Sequence, residues 1–197
     1  RFLAPGELDG VPADAVLDRL PPALRVVIAA RLAELPAATR RCLEAAAVLG
    51  REVAAEVVAR MLDRPVADVA DELEVAVRAG VLEHRAGDWF GASRFVHALV
   101  RETLEAELSP ARRAQLHAAA GAALAASGDE AHVAAVAHHL ERSVPLTPPG
   151  VAVDAMLAAA EQAMALLAYD QASATLERAL ALLERHGADR DREIRLR

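Results

Sequence analysis

PVADVADELEVAVRAGVLEHRAGDWFGASRFVHALVRETLEAEL, residues 65–108, is the stretch on which the fold of this chain turns. Pro65 stands at the start of an amphipathic pattern. Val66, Val69, Leu73 and Val77 recur at the three- and four-residue spacing of a helix face, and Gly80 ends it. Two short extended runs follow, VLEHR and FGASRFVH, around the turn AGDW, which predicts a β-hairpin. From His97 the pattern turns helical again, with ALVRETLEAEL as one helix.

Upstream, Pro22 opens ALRVVIAARLAEL, whose Leu24, Val27, Ile28, Arg31, Leu32 and Leu35 recur at spacings of three and four, the amphipathic helical signal. Pro36 closes that helix and begins AATRRCLEAAAVL, which Gly50 caps. EVAAEVVARML reads as a further short helix. Three helices and then a hairpin is the order of a winged-helix domain, assigned here to residues 23–108. Residues 1–22, rich in Pro and Gly, read as a connector with one short helix over Ala13–Arg19.

Downstream the chain is helical to its end. Ser109 and Pro110 open PARRAQLHAAAGAALAAS; EAHVAAVAHHLERS follows Gly128. Val144–Gly150, with three prolines, reads as a loop, then helices are expected near 152–167 and 169–186, and another from Asp189. Residues 153–186 fit the 34-residue tetratricopeptide (TPR) pattern. With Val153 at position 1, Ala159 and Ala160 fall at the close-packed pair of the first helix, Ala163 at the aromatic position, and Ala172, Leu176 and Ala179 at positions 20, 24 and 27. Met156 stands where the pattern has Trp, and Glu184 where it has Pro. The fold class expected is therefore all-α, with a small β-hairpin in the first module and TPR-like helical hairpins over 109–197.

Composition agrees. The hydrophobic fraction is 54% but the aromatic fraction only 3%, so the core must be built from small aliphatic side chains in closely packed helices. A net charge of −7 disfavours nucleic acid as the main partner. The helix at Pro65–Ala79, where a DNA-reading module needs a basic surface, carries Asp68, Asp71, Glu72 and Glu74 against Arg78. Cys42 is the single cysteine, which excludes an intrachain disulfide and suits a reducing, cytoplasmic setting. No apolar run has membrane-spanning length, and both ends look cut from a longer chain.

PPALRVVIAARLAELPAATRRCLEAAAVLGRE, AVRAGVLEH, RFVHALVRETLEAELSPARRAQLHAAAGAAL, VAAVAHHLERS and AEQAMALLAYDQASATLERALALLE, in that order, resemble the large ATP-binding transcriptional regulators of the STAND class, with MalT-like and LuxR-type architecture. The resemblance implies an upstream P-loop NTPase domain as partner in cis, a winged helix, helical repeats that take a protein or small-molecule effector, and DNA contact only through a downstream helix-turn-helix. ATP or ADP would be the nucleotide of the whole protein. The chain itself has no Lys, so no Walker A loop, and no catalytic residues or cofactor of its own are expected. His97 falls where related signalling ATPases carry the His of an M-H-D motif that contacts a nucleotide phosphate; Val96 and Ala98 replace the Met and Asp.

The remaining histidines suggest no metal. His132, His138 and His139, with His117 on the preceding helix, have no standard ligand spacing, and His138 or His139 is expected to pack between helices. Arg101, Arg112 and Arg113, balanced by Glu102, Glu105 and Glu107, read as a solvated face. Two other functions stay open: a TPR-type scaffold for a protein partner, and a winged-helix DNA-binding regulator.

Overall fold

The computed structural model describes residues 22–85 and 92–186, with side chains from residue 28 onward. The expected helix at Ala13–Arg19, the turn between the hairpin strands and the helix from Asp189 lie outside the described residues. The chain is mostly helical, with a small three-stranded sheet, and divides into two compact units, Arg1–Pro110 and Ala111–Arg197.

In the first unit α1 (Pro22–Ala33) is followed by α2 (Ala37–Leu49), β1 (Glu52–Ala54), α3 (Ala55–Leu62), α4 (Val66–Arg78), β2 (Leu82–His84), β3 (Ala92–Phe95) and α5 (Ala98–Glu107). α2 is the central element. Its Cys42, Leu43, Ala45, Ala46 and Ala47 are wholly buried, and α3, α4 and α5 all pack against it. Alanines at these positions let the neighbouring backbones come close, which is how a core poor in aromatic residues reaches full packing. Val58, Val69, Leu73, Phe95 and Leu104 complete it.

The sheet order is β1–β3–β2, antiparallel throughout. This corrects the sequence reading at one point. Residues 52–54 were expected to begin a helix, but they form a strand, and the helix starts only at Ala55. A strand of three residues has no period to read. It exists because β3 supplies partners, pairing Val53 with Ser93 and Glu52 with Arg94, some forty positions later. β2 pairs Glu83 with the same Arg94, and the two side chains form an ion pair at 2.7 Å, while Glu52 pairs with Arg85 at 3.1 Å.

α4 ends in a complete Schellman motif. Gly80 N–H donates to Val77 O at 2.8 Å and Val81 N–H to Ala76 O at 3.0 Å, with Gly80 at φ +68°. Val81 and Ala76 are both buried, the apolar contact that accompanies this motif.

The second unit holds α6 (Pro110–Ala125), a 3-10 turn (Glu130–His132), α7 (Val133–Arg142), α8 (Pro149–Ala165) and α9 (Tyr169–His186). α8 packs against both α7 and α9. Ala137, Val153, Met156, Ala179, Leu182 and Leu183 form its main core, and Ala160, Ala163 and Ala172 a second cluster between α8 and α9. A second correction falls here. Pro149 and Gly150 were placed in a loop, but Pro149 begins α8. Proline is suited to a first turn, where its missing N–H costs nothing. Among the described residues no helix is long and apolar enough to cross a membrane.

Candidate functional site

His97 occupies the N-cap of α5, in extended backbone at φ −133°, ψ 133°. Its carbonyl accepts from Val100 N–H at 3.1 Å, while its side chain makes no cap bond. The side chain is exposed. The first turn of α5 carries no acidic residue to offset the positive end of the helix.

A pocket of about 380 Å³ opens beside it, lined by Ile28, Leu32, Val81, Leu99, Val100, Arg31 and Gly80 as well as His97. The sequence places each part locally. α1 brings Ile28, Arg31 and Leu32; the left-handed turn at Gly80 reverses the chain below them; the junction of β3 with α5 brings His97. Arg31 Nη2 donates to Ala79 O at 2.8 Å, so a guanidinium covers the carbonyl end of α4. The pocket thus has an apolar floor with one guanidinium and one imidazole at its rim. Such a surface suits an apolar partner segment and, at its edge, an anionic group. Among its described lining residues there is no carboxylate and no serine, threonine or cysteine. The sequence marks Arg31 only as part of the stripe of α1, because its partner is a backbone carbonyl 48 positions away.

Glu102 departs from expectation. It does not belong to a solvated face but is 2% exposed, with Oε2 lacking a hydrogen-bond partner. Burial raises its carboxyl above the ordinary value, more than Arg101, at 3.9 Å, lowers it. Arg101 is instead held by Glu105 at 3.1 Å. Cys42 is buried as expected, and desolvation pushes its thiol up.

In the second unit the histidines group differently from their order in the sequence. His132 is bonded to Ser127, Oγ to Nδ1 at 3.0 Å. His117 of α6 meets His138 and His139 of α7, with ring centroids 5.1–6.0 Å from His117. His117 Nδ1 and His139 Nδ1 lie 2.9 Å apart, and both residues are 2% exposed. Desolvation, and then the neighbouring histidines and Arg142, lower His117 to about 3 and His139 to about 4. Both rings are therefore neutral at pH 7. A polar cavity of about 360 Å³ adjoins the cluster and is lined by His138, Glu141, Arg142, Arg178, Arg185 and His186, among others. No protein-family model matches the chain, and no curated protein or solved structure is significantly similar to it.

Proposed function

We propose that this chain is the regulatory and sensor arm of a larger signalling ATPase that controls transcription, coupling nucleotide state in an upstream NTPase domain to partner or effector binding by its helical repeats. The observation that carries this reading is the place of His97. It stands at a helix start whose first turn carries no acidic residue, on the rim of an apolar pocket, with no cap bond of its own side chain. An apolar face there suits docking of a neighbouring domain, and an imidazole at its edge suits a phosphate held by that domain. The succession α2–β1–α3–α4–β2–β3 with sheet order β1–β3–β2 supports a winged-helix module. The α8–α9 hairpin, closed by Ala159, Ala160, Ala163, Ala172 and Ala179, supports a TPR-like repeat. The mechanism would be rigid-body repositioning of the first unit's module against the NTPase as ADP is exchanged.

A DNA-reading role for the first module is the weaker alternative. On α4, Asp68, Asp71 and Glu74 are exposed, which leaves an acidic surface where phosphates would have to sit. A scaffold role draws on another feature. Leu166, Leu167 and Tyr169 are each more than 60% exposed at the α8–α9 turn, an apolar patch open to a protein partner.

Two measurements test the proposal. Calorimetry of this chain with ATP and ADP should show no binding tighter than the millimolar range, about −4 kcal/mol; micromolar binding would overturn the division of labour. In the protein that carries the NTPase domain, His97→Ala should weaken ADP binding by about 1–3 kcal/mol and raise basal output. Because His97 is exposed and its side chain caps nothing, melting should stay within about 0.5 kcal/mol of wild type. Unchanged ADP affinity with unchanged melting removes His97 from the switch.

A further inference from the structure

We propose that His117, His138 and His139 form a binding site for one divalent transition-metal ion of the Zn²⁺ type. One ring nitrogen from each of the three lies within 4.8 Å of one from each of the others. The site needs no distant loop. His117 projects from α6, and the adjacent His138 and His139 from α7. Two of its three members are fully enclosed and the third lines the solvent-facing polar cavity, so an ion has both a desolvated seat and a path of entry.

The buried pair already brings two donor nitrogens together. Two imidazole nitrogens facing at 2.9 Å need one proton between them. A metal on the two Nδ1 atoms would fix the proton of His117 on Nε2, which is buried without a partner with or without the ion. An ion takes the lone pairs that the two rings otherwise turn on each other. At a metal–nitrogen distance of about 2.05 Å, nitrogens 2.9 Å apart subtend about 90° at the ion, a normal chelate angle that a small ring rotation opens toward tetrahedral. His138 is exposed and has room to close on the same ion. Three neutral imidazoles with the remaining positions open to water is a donor set suited to Zn²⁺, Ni²⁺ or Cu²⁺, and not to Ca²⁺ or Mg²⁺.

The charges facing the site set its strength. Arg113 on α6, Arg142 on α7 and Arg178 on α9 oppose a cation, and Glu141, itself 3.8 Å from Arg178, offsets them only in part. Affinity should therefore fall in the micromolar range rather than that of a thiolate site.

The test uses the full chain, stripped with a chelator and titrated with Zn²⁺ by calorimetry, with Co²⁺ as a spectroscopic probe. One equivalent should bind and raise the melting temperature. His138→Ala and His138→Gln, which alter an exposed side chain and leave the buried pair in place, should each weaken binding about tenfold or more. His132→Ala, which removes a ring bonded to Ser127, should leave it unchanged. Absence of a bound equivalent at micromolar Zn²⁺, or equal binding by the His138 variants and wild type, overturns the proposal.

Discussion

Two residues at the same place in the same motif show how much a single side chain decides. Gly80 and Leu167 each follow a helix end with left-handed backbone, at φ +68° and +61°. Leu167 N–H donates to Met164 O at 3.0 Å and Ala168 N–H to Ala163 O at 2.8 Å, the pairing seen after α4. At Gly80 a Cβ would also meet Arg31 Nη2 at 3.3 Å, disturbing the guanidinium that covers Ala79 O. Gly80→Ala should therefore cost about 1–2 kcal/mol. Leu167→Gly should do the reverse. Its side chain is 71% exposed and contributes little burial, so relief of the left-handed strain outweighs the entropy lost by glycine, for a net gain of about 0.5–1 kcal/mol. Urea melts of both variants, compared at equal slope, decide the two signs. Gly80 was legible in the sequence as a helix stop. Leu167 was not, since nothing in MALLAYD marks a turn that glycine would suit better.

Elements were legible where local period and punctuation fix them. Pro36, Pro65 and Gly50 bound their helices as read, and the apolar stripes of α4 and α5 are regular. What escaped was fixed by partners distant in sequence: β1 by β3, and the histidine cluster by the approach of α6 to α7. Gly121 makes that approach possible. A Cβ there would lie 2.7 Å from Leu140 Cδ2 and 3.6 Å from His139 Cβ. Gly121 is also one helical turn after His117, so the gap it leaves is the one that lets His117 reach α7. No motif in AAAGAALAAS announces this, because an isolated glycine among alanines has no periodic meaning. Gly121→Val should force α6 away from α7, cost about 1–3 kcal/mol, and separate the two facing nitrogens. Titration of the imidazoles by NMR should then find His117 and His139 moving up toward 6.5 from their depressed values of about 3 and 4. A destabilised variant with unmoved histidine titrations would show that Gly121 does not set the cluster.

At the scale of the whole molecule the two units should answer acid with opposite sign. In Ala111–Arg197, His117 and His139 are buried and neutral, lowered from 6.5 to about 3 and about 4. Below pH 6.5 their unfolded counterparts take up protons that the folded unit refuses. Their contribution is therefore fully present above pH 6.5 and is lost as pH falls toward 4, at up to about 1.4 kcal/mol per pH unit for each histidine. In Arg1–Pro110 the buried Glu102 is raised above 4.5, so the folded unit takes up its proton before the unfolded chain does. Between those two values stability rises as pH falls, because a carboxylate without a partner for Oε2 becomes a neutral acid. Segment-resolved hydrogen exchange in chelator-treated protein, at pH 7 and pH 5 and corrected for intrinsic rates, separates the two. Protection in residues 110–142 should drop, while protection in α2 and α5 holds or rises. Glu102→Gln should make α2 and α5 more protected at pH 7 and remove their response to acid, leaving residues 110–142 as sensitive as before. Parallel loss of protection in both units would show that neither buried group governs the stability of its own unit.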